Sequence, residues 1–413
     1  MNICFVLIEY PLSYIDDRIV KDFSGGAGII MYDIAHGLKS LGHNVYVLAR
    51  SIDCAEDNSF NDNGIEVYKF AEDDHISLTL KMTKFLKKIV KQKRIDIIET
   101  CDYAPLISDY IEDTPMLLRL HLSHAFLEYY AGKINSPYHE KDINYLHFAF
   151  SIHLADSVAG VSKFILEKQT EFHEFPKNKI YGVVYNGVNE IKNPRNNFNP
   201  HLLFCHGTVS ERKGTHIVCS IFNKVHPIRP QSKLKIIGTG KKFWYNSCLP
   251  KLSENAQSAI TYTDYLERKD VLNEIRKCGI YISMSKLEAM SISMLEAMKL
   301  GKPLVLFKNG SFEEFIEDGK EGFIVQTEKE AVERIIELID NPLLYNRFSE
   351  AVKEKAKQFT LNKCVKATEA WYEKVIENKK QILKNRQKSY AMLLNEYYRL
   401  TKLTLPNSRI NIQ

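Results

Sequence analysis

Two carboxylates with seven residues between them, Glu288 and Glu296, are the pair in this chain best spaced to do chemistry. The apolar run 279–284 just before them reads as a buried strand. Ser291 and Ser293 are both suited to cap a helix running to about Leu300, with Gly301 as its stop and Pro303 just beyond. Glu288 then stands on the loop at a helix N-terminus, and Glu296 lies about a turn and a half inside. The backbone N–H groups of Ala289, Met290, Ser291 and Ile292 would face the mouth of that helix, and such groups suit phosphate. Eight residues of helical rise cover roughly 12 Å. Paired carboxylates of a glycoside hydrolase stand about 5–9.5 Å apart. The wider spacing suits the two ends of a nucleotide sugar, with hexose hydroxyls at one glutamate and ribose hydroxyls at the other. The plain alternative is an amphipathic helix carrying two solvated glutamates, since Glu is a common helix residue.

Strand-like runs alternate with helical patterns through most of the chain, which predicts an α/β fold with parallel sheets. In the first half the strands are expected at 3–8, 45–49, 65–70, 95–99, 116–120, 157–161 and 180–184. In the second half they are expected at 201–206, 233–237, 259–262, 280–283, 304–307 and 322–325. The Asn- and Pro-rich stretch 189–200 reads as a linker. We therefore expect an N-terminal domain over 1–190, a C-terminal domain over 191–365 and a helical segment with a basic tail over 366–413. Two doubly wound halves would hold ligands in a cleft at the C-terminal ends of their strands.

A chain of 413 residues holds two domains of ordinary size, and 45% hydrophobic with 26% charged residues is the composition of a soluble globular protein. The net charge of +5 is too small to point to nucleic acid, but the Lys-rich surface would favour an anionic donor or an anionic membrane. Eight scattered cysteines form no Cys-x-x-Cys pair, which argues against a zinc site, and Cys4, Cys205 and Cys219 fall in apolar patterns as buried thiols. No signal peptide or spanning segment is legible, so the expected location is cytoplasmic, with a peripheral contact at the inner face of the cell membrane as a further expectation.

Three more constellations could carry function. Gly25-Gly26-Ala27-Gly28 opens a helix after a long loop, where glycine lets a backbone approach a ligand and a helix N-terminus attracts anions; a tight structural turn is the alternative. His121 ends the strand 116–120 and could hydrogen-bond a sugar hydroxyl or serve only the packing. Residues 78–94 form a basic amphipathic helix, with Met82, Phe85, Leu86, Ile89 and Val90 on one face. It is either packed on the core or a lipid-docking surface.

Taken together, Ser285, Glu288, Glu296, Ala297, Met298, Gly301 and Pro303 resemble the E-x7-E signature of retaining GT-B glycosyltransferases of the family-four, or group 1, type. Ala289, Met290 and Ser291 stand where that family has Gly-Phe-Gly. The run Phe204-Cys205-His206-Gly207-Thr208-Val209-Ser210-Glu211-Arg212-Lys213-Gly214 is similar to the family's diphosphate loop, with Lys213 and Gly214 matching and Thr208 in the place of an arginine. The resemblance covers residues 1–375. It implies two Rossmann-like domains facing a central cleft and hexose transfer from a UDP- or GDP-sugar to an acceptor hydroxyl, in synthesis of a cell-surface polysaccharide or glycoconjugate.

Residue by residue, the resemblance implies that Lys213 cradles the leaving diphosphate and that Glu288 and Glu296 orient hexose and ribose; Arg212 either stands in for the missing arginine or is a solvated surface residue. His121, Gly25 and Gly26 would face the donor from the other domain, and Gly238 of the Gly-Thr-Gly turn would lie near the nucleotide, with 263–266 holding the base. It implies no metal or other cofactor. The loop 10–23, with Asp16, Asp17 and Arg18, becomes a candidate acceptor loop. The segment 367–376 would cross back onto the N-terminal domain, leaving the tail 379–413 as a packing helix or a subunit contact. The acceptor stays open among glycan, lipid-linked, small-molecule and protein hydroxyls. Two rivals share the architecture: a nucleotide-sugar 2-epimerase, and an inactive nucleotide-sugar-binding subunit.

Overall fold

The computed structural model describes residues 1–15, 18–21, 25–51, 56–72, 75–102, 107–130, 143–191 and 199–386. Asp16 and Asp17, Cys54, most of the expected linker and the tail beyond Arg386 lie outside the described residues. The chain divides into two compact units: unit 1 is Met1–Tyr185 together with the chain from Cys364, and unit 2 is Asn186–Lys363.

Unit 1 is built on an eight-stranded sheet. Its strands are β1 (Asn2–Leu7), β4 (Asn44–Arg50), β5 (Asn58–Asp62), β6 (Ile65–Phe70), β7 (Ile97–Cys101), β8 (Met116–Leu120), β9 (Ser157–Gly160) and β10 (Ile180–Val183). Their order is β10-β9-β8-β7-β1-β4-β6-β5, and every pairing is parallel except that of β5 with β6. Ile3 to Val6 of β1 are fully buried, as the strands of a parallel sheet covered on both faces must be. A separate hairpin pairs β2 (Leu12–Ile15) with β3 (Arg18–Lys21). Neither that hairpin nor β5 was expected from the sequence. β5 reads Asn-Ser-Phe-Asn-Asp and sits at the sheet edge, where a strand needs no continuous apolar run.

Two helices of unit 1 matter below. Helix α1 (Gly26–Ser40) follows the glycine loop. Helix α2 (His75–Lys93) is the basic amphipathic one. Leu78, Met82, Leu86, Ile89 and Val90 are buried, while Lys81, Lys87 and Lys93 pair with Asp57 and Glu72, with Asp109 and with Glu66. The helix is therefore packed on the core, and much of its positive charge is met by acids of its own unit. Among the described residues no helix is long and apolar enough to cross a membrane.

Unit 2 carries a six-stranded parallel sheet of β11 (Asn199–His206), β12 (Lys233–Ile237), β13 (Ile260–Thr263), β14 (Cys278–Ser283), β15 (Leu304–Phe307) and β16 (Gly322–Val325). The order β13-β12-β11-β14-β15-β16 reverses direction between β11 and β14, the point at which doubly wound sheets bind ligands. β11 begins at Asn199, so the last two residues of the expected linker belong to the sheet. Leu203, Val218, Phe222, Leu234, Ile280, Val305 and Phe348 lie in one continuous core. Both units are Rossmann-like.

The C-terminal helix α7 (Leu361–Glu377; α3 to α6 are placed below) packs on unit 1 from Cys364 onward. Arg119 and Glu99, both fully buried, form an ion pair between β8 and β7. Tyr372 donates its hydroxyl to Glu99, and Arg119 donates to Thr368 Oγ1 at 3.1 Å. Trp371 donates to Ser157 Oγ at 3.0 Å and lies where a Cβ on Gly182 would have to go. A further helix, 379–386, ends with Arg386 paired to Asp156 and donating to the carbonyls of Ile111 and Thr114, at 2.8 and 2.7 Å. This part of the expected tail is thus a packing helix.

Candidate active site

The loops of unit 2 that follow β11, β12 and β14 are pressed together by glycine. Gly207, Gly214 and Gly238 all have positive φ, at +134°, +65° and +152°. A Cβ on Gly214 would collide with the Met284 carbonyl, and one on Gly238 with the Gly207 carbonyl. Backbone bonds Gly207 N→Ile237 O (3.0 Å) and Val209 N→Thr239 O (2.7 Å) lock the first two loops. Gly214 leads into helix α4 (Thr215–Val225), as its left-handed N-cap; helix α3 (Lys163–Phe172) belongs to unit 1.

That packing delivers two cations to one carboxylate. Lys213 Nζ donates to Glu288 Oε1 at 2.6 Å. Arg212 Nη1 donates to the Leu287 carbonyl at 2.9 Å and stands 4.0 Å from Glu288 Oε1. Glu288 is only 5% exposed. Burial pushes its pKa up, but Lys213 first and Arg212 second outweigh it, and the carboxyl is held below its ordinary range. Thr208, in the expected place of an arginine, is exposed.

Helix α6 (Ile292–Lys299) starts where expected, with Ser291 as N-cap accepting from Met294 N. Gly301 takes φ +66° just past its end. The amides of Ile292 and Ser293, in the first turn, have no carbonyl four residues back to bond. A chain of hydroxyls runs beneath them. Ser291 Oγ lies 3.1 Å from Ser293 Oγ, Ser293 Oγ lies 2.8 Å from Tyr281 Oη, and Ser293 Oγ donates to the His206 carbonyl at 3.3 Å. Ala289 and Met290 are buried: Ser311 Oγ donates to the Ala289 carbonyl, and Met290 Sδ accepts from Asn186 N at 3.1 Å. Their side chains serve packing, so any ligand contact at these two positions falls to the backbone.

Glu296 is 2% exposed and accepts from Arg268 Nε at 2.9 Å, on helix α5 (Arg268–Lys277). Both glutamates are therefore buried and ion-paired, and the reading of two solvated glutamates fails. Gly238 N donates to the Thr263 carbonyl at 2.9 Å, which ties the glycine turn to the end of β13. Asp264 beyond it accepts from Gly240 N at 3.1 Å and from Tyr262 Oη at 2.7 Å, with Tyr265 exposed next to it in sequence.

Gly25, Gly26 and His121 belong to unit 1. Gly25 caps α1 with an ordinary φ of −74°, and its amide donates to Glu9 Oε2 at 2.7 Å. A side chain of this protein thus already sits at the mouth where an anion was expected, and the glycine is not demanded by its backbone angle. His121 is buried at the end of β8, with its amide on Asp102 Oδ1 at 2.9 Å. Burial, then Arg119, depresses its imidazole to about 3, so it is neutral at physiological pH. Asp102 also accepts from Gln169 on α3, and burial raises it to about 6. Glu9, Asp102 and Arg268 were not read from the sequence. Their partners lie 16 to 67 residues away, beyond any spacing pattern.

Two Rossmann-like sheets, with paired lysine and glutamate at a helix mouth in the second, are the architecture of GT-B glycosyltransferases. The chain belongs to them: residues 24–191 match the model of Glycosyltransferase Family 4, and residues 188–355 that of Glycosyl transferases group 1. It is 27% identical over 314 residues to the uncharacterized glycosyltransferase MJ1178 of Methanocaldococcus jannaschii, covering 73% of this chain and 81% of the relative. Among solved structures it is similar to sucrose-phosphate synthase of Thermosynechococcus elongatus, with TM-score 0.69, 13% identity and coverage of 91% and 99%. It is also similar to Anabaena Alr3699/HepE in complex with UDP and glucose, with TM-score 0.65, 17% identity and coverage of 91% and 99%.

Proposed function

We propose that this chain is a retaining hexosyltransferase that moves a hexose from a nucleoside diphosphate sugar to an acceptor hydroxyl. The observation that carries the reading is the buried Lys213–Glu288 pair, with Arg212 beside it, at the N-terminus of α6. When a donor binds, the diphosphate takes the Lys213 ammonium and the first-turn amides of α6, and Glu288 is released to accept from hexose hydroxyls. Glu296, oriented by Arg268, accepts from the ribose. Charge grows on the leaving diphosphate as the anomeric C–O bond breaks, and the fixed cations favour that state over the ground state. The acceptor oxygen attacks from the face the diphosphate leaves, and its proton passes to a phosphate oxygen, so configuration is kept. Side chains, not a metal, balance the diphosphate in this reading. The UDP found with the Anabaena relative supports uridine as the base.

Nucleotide release from a panel of UDP- and GDP-sugars, comparing wild type with Glu288→Ala and Lys213→Ala, tests the proposal. Slow release from one donor, lost in both variants, and an α-linked product from an α-configured donor are expected. Conversion of the donor to an epimeric nucleotide sugar, or a β-linked product, overturns it.

A further inference from the structure

His206 is the last residue of β11, at the point where the sheet order reverses. Its carbonyl is fixed by Ser293 of α6, and its ring lies against Phe204, with 6.2 Å between centroids. The residue is partly buried, and its Nδ1 is buried with no hydrogen-bond partner among the described residues. A buried ring nitrogen left unsatisfied costs free energy that a ligand can return. The next residue, Gly207, is the one over which Lys213 passes: a Cβ there would meet Lys213 Cε at 3.6 Å. Lys213 also acts on His206 electrostatically, so the imidazole shares the ammonium's surroundings.

The local charge balance gives this placement meaning. Lys213 and Arg212 supply two positive charges, and Glu288 removes one. Thr208 supplies none. A departing diphosphate carries more negative charge than one net cation can meet. We propose that His206 is a further diphosphate-binding residue, which takes up a proton as the donor lands and so replaces the cation missing at position 208. This rests on the donor-site reading given above.

The titratable groups on His206's own strand and on the elements beside it set the sign. Lys213 from the loop after β11 opposes protonation, and Glu288 from the loop before α6 is neutralised by that same lysine. Cys205 on its own strand and Tyr281 on β14 are both held protonated by burial. Burial first, and Lys213 second, depress the free imidazole to about 4. It is therefore neutral in the empty protein near pH 7. A diphosphate within reach draws Lys213 to itself and favours the imidazolium, so nucleotide affinity gains a component that strengthens as pH falls.

The test is titration calorimetry of UDP and of GDP onto wild type, His206→Gln and His206→Asn. Binding is measured from pH 5.5 to 8 in two buffers of different ionisation enthalpy, and the variants' melting curves are checked against wild type. Subtracting a variant from wild type removes the nucleotide's own titration. Wild type is expected to take up more protons than either variant at pH 6.5. Both variants should bind about tenfold more weakly at pH 6, with the gap closing by pH 8. Equal proton uptake in all three proteins, with nucleotide still bound and Lys213→Ala still weakening it, overturns the role of His206 alone. Failure of wild type to bind either nucleotide, or binding indifferent to Lys213→Ala, overturns the donor-site reading and this inference with it.

Discussion

Replacing Lys213 by Met strips Glu288 of its nearest cation and leaves a carboxylate that is 5% exposed with the Ser285 hydroxyl and, 4.0 Å away, Arg212. Breaking a buried pair by removing one partner costs about 3–5 kcal/mol. Because the Lys213 side chain keeps 20% exposure, the lower end applies, about 3 kcal/mol at pH 7.5. The sign of the pH dependence follows from Glu288. In the native protein its pKa is lowered below 4.5, so its contribution is present above that value and lost as pH falls through the lowered one. In Lys213→Met the largest lowering cause is gone, burial weighs more, and the folded pKa rises. The variant's deficit is then full at pH 7.5 and shrinks towards pH 4, as the carboxyl takes up its proton. Urea unfolding in a Trp371→Phe background, where Trp244 of unit 2 is the remaining tryptophan, reads this directly. The double variant Lys213→Met/Glu288→Gln, which carries no buried charge to abandon, should recover most of the loss. A deficit equal at pH 7.5 and pH 4.5, or a double variant no better than the single, refutes the reasoning.

Other outcomes follow from the same structure. Gly214→Ala meets both a positive φ and the Met284 carbonyl, and should lower unit 2 stability by about 2 kcal/mol or more, read as a fall in the urea midpoint. Tyr372→Phe removes a hydroxyl donor from the buried Glu99 carboxylate and should cost roughly 1.5–3 kcal/mol in unfolding of unit 1. Treatment with EDTA should leave the rate of nucleotide release unchanged, since the reading gives the diphosphate to Lys213 and Arg212; a loss restored by a divalent cation contradicts that assignment. Asp102, raised to about 6, lowers stability as pH rises from about 4 to 6, whereas His121, depressed to about 3, raises it across the range up to its ordinary 6.5. The two slopes oppose, so Asp102→Asn should unmask a steeper gain of stability with pH than wild type shows.

Much of the second unit was legible because its determinants are local. A serine cap, an apolar stretch and a stop glycine sit within eleven residues of one another, and α6 lies where they place it. Gly214 and Gly238, whose φ is positive, mark real close approaches. Gly25 looked alike in sequence, yet its backbone angle is ordinary and its amide is taken by Glu9. Sequence spacing located Glu296 but gave no hint of Arg268, because a salt bridge between two helices depends on how the sheet of unit 2 sets them side by side. β5 escaped notice for the opposite reason: an edge strand can be polar and still pair.

The return of α7 has a consequence for how the protein is made. Unit 1 is not one stretch of chain; the whole of unit 2 is spliced into it between Tyr185 and Cys364. A nascent chain that has just completed β10 holds Glu99 and Arg119 without Tyr372 and Thr368, and Gly37 and Gly182 without the Val365 and Trp371 side chains that pack on them. At about 5–20 residues per second, the stretch from Tyr185 to Arg386 takes on the order of 10–40 s to emerge. During that interval unit 2 can close, while unit 1 waits with two bare glycine-floored faces. The ribosome therefore finishes the second domain before the first, and a chain truncated at Lys363 releases unit 1 without α7 and the helix 379–386.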